Sequence, residues 1–107
     1  IELDKIRTLV CTPRTMMKAE DALNKGLGRI LNEITELKTR DILALCWAML
    51  TQEDPNITFD ELLTIVDEKD INISYIVTKI GEATNGAGWL VDSKKAKAPK
   101  AESSTGM

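Results

Sequence analysis

Asp41-Ile-Leu-Ala-Leu-Cys-Trp-Ala-Met-Leu50 is the stretch whose reading decides the fold, and nine of its ten residues are apolar. On a helical wheel Ile42, Leu45, Cys46 and Met49 form one stripe, while Leu43, Trp47 and Leu50 form another on a neighbouring face. A helix that is apolar nearly all round is either buried inside a domain or spans a membrane. Crossing a bilayer takes about 20 apolar residues, and this run stops at Leu50, before Thr51-Gln-Glu-Asp54. The stretch therefore predicts a buried central helix, covered by amphipathic segments on either side.

Downstream, Glu53-Asp54-Pro55-Asn56 reads as a turn, and Thr58-Phe59-Asp60-Glu61 has the spacing of a capping box. In that motif the Thr oxygen and the Glu carboxylate each accept the other residue's backbone N–H. Leu62, Leu63, Ile65 and Val66 supply an apolar face to the helix that follows. After Asp67-Glu-Lys-Asp70, a last helix carries Ile73, Ile76, Val77 and Ile80 and stops around Asn85-Gly86. Its β-branched residues lower its intrinsic propensity, so packing must hold it.

Upstream, Thr39 is placed to cap the central helix, with Asp41 in the first turn where the helix dipole favours an acid. Thr12-Pro13 is a second favoured start, Thr at the N-cap and Pro at the first helical position. From there Met16, Met17, Ala19, Ala22 and Leu23 recur at helical spacing. Gly26 suits the left-handed position that ends a helix, and Leu27, Ile30, Leu31 and Ile34 resume the pattern to about Glu36. Ile1 to Thr12 shows partial alternation of β-formers, which predicts a short strand or hairpin segment.

The expectation is thus a mainly α fold: a small bundle of about four to five helices around a buried central helix, forming one domain over residues 1–91. Residues 92–107 turn to Ser, Lys, Ala, Pro and Thr and read as a flexible basic tail. That tail carries a charge of +2, which leaves −5 of the chain's net −3 on residues 1–91. Aromatics make up only 4%, so the core must be aliphatic with Met as filler. Cys11 and Cys46 lie far apart in apolar runs and read as buried thiols rather than a disulfide. No stretch resembles a signal peptide, and the expectation is an intracellular protein.

Chemistry is hard to build from these residues. With no histidine, Ser-His-Asp and Cys-His activation, His-ligated zinc and the commonest general base are all excluded. Asp54 to Asp60 has oxygen ligands at alternate positions, but a calcium loop also needs Gly at its sixth place and Glu at its twelfth. Phe59 and Ile65 stand there. Gly26-Leu-Gly-Arg29 lacks the strand, lysine and helix that make a phosphate loop. Glu33, Glu36, Asp60, Glu61, Asp67, Glu68 and Asp70 alternate with apolar residues as a solvated face does. The −5 body offers no basic stripe for nucleic acid. No catalytic residue, cofactor or metal site is expected, and an interaction module remains. Trp47 reads as core. Trp89 and Leu90, with Lys94 and Lys95 just beyond, are the candidate partner-binding residues, Trp89 either packing back onto the body or standing exposed in a contact.

From Leu9 to Ala83 the order of elements resembles the tail assembly chaperones of long-tailed bacteriophages. The resemblance lies in the helix Thr15-Met-Met-Lys-Ala-Glu-Asp-Ala-Leu23, the Gly and short apolar helix after it, and Leu43-Ala-Leu-Cys-Trp-Ala-Met-Leu50. The turn Glu53-Asp-Pro-Asn-Ile-Thr-Phe-Asp-Glu61 running into Leu62-Leu-Thr-Ile-Val-Asp67 extends it. Trp47-Ala48 followed by Glu53-Asp-Pro-Asn-Ile-Thr58 is its most specific piece. The resemblance implies a non-enzymatic protein of the host cytoplasm that binds the tape measure protein, keeps it soluble and helps recruit tail tube protein. It also implies absence from the mature virion and, in many members, a longer form made by frameshifting near the Lys- and Ala-rich end. Some self-association is expected, and neither nucleic acid nor membrane as partner. The alternatives are a structural head-tail connector or adaptor subunit and, more weakly, a small DNA-binding regulator.

Overall fold

The computed structural model describes residues 1–86, and its architecture follows from where helices are able to begin. Thr12 is extended and its Oγ1 accepts the Thr15 amide (3.2 Å), while Thr15 Oγ1 accepts the Thr12 amide (2.9 Å). With Pro13 at the first position, this starts α1, Pro13–Leu23. Thr58 and Glu61 form the expected capping box at 3.0 and 2.8 Å and start α4, Phe59–Glu68. Asn72 Oδ1 accepts the Ser74 amide (2.7 Å) at the head of α5, Ile73–Gly86.

Two junctions differ from the sequence reading by one or two residues. Asn24, not Gly26, takes the left-handed position after α1, at φ 56° and ψ 44°. Asn tolerates that conformation better than other side-chain-bearing residues, and it comes first in the chain. Gly26 instead sits at an ordinary φ of −70° as the N-cap of α2, Leu27–Asn32. Having no side chain to cap with, it leaves that task to Glu20, whose carboxylate accepts the Leu27 amide at 2.8 Å. A 3-10 turn, Ile34–Glu36, carries the chain onward. The central helix α3, Thr39–Leu50, has Lys38 as its N-cap and no capping side chain. Burial of Leu37 fixes how the chain reaches α3, so Thr39 is already helical.

Helix α3 is the hub. Ile42 to Cys46 and Ala48 to Leu50 are all buried, and α1, α4 and α5 pack around it. Met16, Ala19 and Leu23 of α1, Leu62 and Val66 of α4, and Ile76 and Ile80 of α5 close the core. Among the described residues the fold is mainly α, a bundle of five helices around a buried central helix, as the apolar run predicts. Among the described residues no helix is long and apolar enough to cross a membrane.

Residues 1–12 form no strand; a single antiparallel bridge joins Glu2 and Ile6. The Ile1 nitrogen and the Arg7 amide each donate to the other residue's carbonyl at 2.8 Å, closing a tight loop with Leu3 buried beneath it. Its ties run outward. Arg7 grips Asp4 through two bonds (2.8 and 3.0 Å) and reaches Asp54 at 3.2 Å, while the Glu2 amide donates to the Tyr75 hydroxyl at 2.9 Å. A two-stranded hairpin is marginal alone, and these long-range bonds favour the compact loop instead.

Candidate partner-binding surface

Met16 and Met17 are neighbours in sequence with opposite fates. About 100° apart on the helix, Met16 faces α3 and is 2% exposed, whereas Met17 points outward and is 63% exposed. The helical spacing that grouped both in one buried stripe therefore holds for Met16, Ala19 and Leu23 but not for Met17. Arg14, Lys18 and Asp21 share the outward side of α1 with Met17, all exposed.

Across from them stands the turn after α3. Thr51 Oγ1 donates to the Ala48 carbonyl (2.7 Å), the Asp54 amide to the Leu50 carbonyl (3.1 Å), and the chain swings out through Gln52 and Pro55. The gap between the two walls is held by the segment leading into α1. There the Val10 amide donates to the Met49 carbonyl (3.0 Å) and the Thr15 hydroxyl to the Val10 carbonyl (2.8 Å). The result is an open groove of about 930 Å³ lined by Pro13, Arg14, Met17, Lys18, Gln52 and Pro55, among others.

Trp47 buttresses this region. It is half-buried rather than wholly in the core: its Nε1 donates to the Ile57 carbonyl at 2.9 Å, and Lys18 Nζ lies 5.9 Å from its ring centre. One side chain thus locks α3 to the Glu53-to-Thr58 turn and underlies the cation on α1. No protein-family model, no curated protein and no solved structure matches this chain.

The titratable groups show what kind of chemistry the body supports. Burial pushes the Cys46 thiol up to about 12 and the half-buried Cys11 thiol up to about 11. Both move away from the thiolate that nucleophilic or metal-binding cysteines require. Among the described residues no group of three or more His, Cys, Asp or Glu is arranged to hold a metal ion. The carboxylates sit on the wet face as read: Glu61 serves its cap, Glu33 pairs with Arg29 at 3.4 Å, and Asp60, Asp67, Glu68 and Asp70 are exposed.

Of the candidate residues named from sequence, Trp89, Leu90, Lys94 and Lys95 lie outside the described residues. The groove itself was not named, because its walls come from two segments distant in sequence. One local signal pointed to it: two adjacent methionines cannot both lie on one helix stripe.

Proposed function

We propose that this chain is a non-enzymatic phage tail assembly chaperone. In this reading it covers apolar stripes on the long helical tape measure protein, keeps that protein soluble, and yields it to tail tube subunits as the tube polymerises. The observation that carries the proposal is the Trp47 Nε1–Ile57 carbonyl bond. It joins the two segments in which the resemblance to such chaperones is most specific, and the turn so held forms one wall of the groove that exposes Met17. An amphipathic helix laid into a groove of this kind is bound through its apolar anchors. Many copies along one tape measure chain gain avidity while each remains weak enough to be displaced singly.

The test is co-expression with the tape measure protein encoded beside this chain. The expected result is a soluble tape measure protein that co-purifies with several copies of the chaperone, and loss of that effect in Met17→Asp. Unchanged solubility and no co-purification with the wild-type chain would overturn the reading.

A further inference from the structure

The groove has a charge pattern at odds with the rest of the molecule. Residues 1–86 contain 15 Asp or Glu against 10 Lys or Arg. Arg14 and Lys18 nonetheless stand one turn apart on the groove wall, flanking exposed Met17. Of the other eight cations, Arg7 pairs with Asp4 and Asp54, Lys25 with Asp41, Arg29 with Glu33 and Lys79 with Glu82. Lys5, Lys38, Arg40 and Lys69 form no ion pair among the described residues and do not line the groove. Among the described residues neither Arg14 nor Lys18 forms an ion pair, and Lys18 lies over the Trp47 ring instead. Asp21, one turn from Lys18, pairs with neither. The start of α1 also opens here, and a helix N-terminus carries partial positive charge.

We infer that the groove takes an amphipathic helix whose apolar stripe is flanked by acidic residues spaced one turn apart. This rests on the chaperone reading and adds the partner's chemistry to it. Met17 and the two prolines meet the apolar stripe. Arg14 and Lys18 meet carboxylates about one helical turn apart, and Asp21 rejects an acid at the next turn, which fixes register. The net acidic balance of the rest of the body disfavours the same partner elsewhere, so the groove supplies selectivity as well as contact.

Two synthetic amphipathic peptides of about 20 residues, long enough to be helical, test this by titration into the full chain. They share one leucine stripe, flanked by Glu in one and by Lys in the other. The Glu-flanked peptide should bind about tenfold more tightly, less so at high salt. Arg14→Glu/Lys18→Glu should reverse the preference, whereas Lys5→Glu/Lys69→Glu, the same charge change outside the groove, should keep it. Circular dichroism verifies that each variant folds. Equal binding of the two peptides, binding of neither, or a preference untouched by Arg14→Glu/Lys18→Glu overturns the inference. Co-expression separates it from the reading beneath it. If Arg14→Glu/Lys18→Glu still solubilises the tape measure protein while Met17→Asp does not, the charge pattern is wrong and the chaperone stands. If the wild-type chain solubilises nothing, the chaperone reading falls, and the peptide titration still judges the groove's charge preference.

Discussion

Trp47 combines a polar bond and an apolar surface in one side chain. Its indole N–H satisfies the carbonyl of Ile57, a residue only 5% exposed, while its half-buried ring packs against the core and lies under Lys18 of α1. Trp47→Phe keeps an aromatic ring but leaves that carbonyl without its donor. An unsatisfied buried acceptor costs about 1–3 kcal/mol, so the urea midpoint should fall accordingly. A loss below about 0.5 kcal/mol, the level of ordinary surface changes, would mean water replaces the indole. Arg7 offers a second test, by pH. Its bond and charge hold the Asp4 carboxyl below its ordinary 3.8. A carboxylate with a depressed folded pKa stabilises above its unfolded pKa, and that contribution is lost as pH falls through the folded value. Asp4→Asn should therefore be less stable than wild type at about pH 7, with the gap closing below about pH 4. Urea titrations at both ends check this: no gap at about pH 7 would show that Arg7 holds the loop without Asp4, and a gap that stays constant would show that Asp4 acts other than through its charge.

At the scale of elements, the α1–α2 junction separates local signals from context. Both Asn24 and Gly26 are able to end a helix, and the structure chooses Asn24 by giving it a φ of 56°. Asn24→Ala should cost about 1–2 kcal/mol, the penalty of a left-handed residue with a Cβ, while Asn24→Gly should be neutral or stabilising. Gly26→Ala should change little, since its φ is −70° and a Cβ there meets nothing within 4 Å. Thermal melts of the three variants rank the positions, and the reverse order would move the junction to Gly26. The starts of α1 and α4 were legible because both signals are local, Thr12 beside Pro13 in the one and Thr58 three residues before Glu61 in the other. The start of α3 was not, because Leu37 burial, a tertiary fact, sets it one residue earlier than Thr39. Residues 1–7 were opaque for the same reason. Their bonds go to Asp54 and Tyr75, partners 47 and 73 positions away. The groove was hidden likewise, with α1 as one wall and residues 51–55 as the other, and only the Met16-Met17 pair hinted at it.

For the whole molecule, α3 decides whether the bundle unfolds as one unit. Helices α1, α4 and α5 all pack on it, and Leu45 at its middle is 0% exposed. Domains of this size hold together by only about 5–15 kcal/mol. Truncating a buried leucine costs about 2–5 kcal/mol, the transfer term plus the cavity left behind. Leu45→Ala should thus remove a large fraction of the total and lower stability throughout, not in one helix. Urea unfolding followed by helical circular dichroism and by tryptophan fluorescence should stay coincident in wild type and variant, with the midpoint of both signals shifted together. Separate transitions would mean that one of the helices packed on α3 keeps its structure without that shared helix. That result would also weaken the groove as a preformed site, because its two walls are set by α1 and by the end of α3. Coincident transitions would instead make groove and core one structure, so that a partner bound in the groove raises the midpoint of the entire chain by mass action.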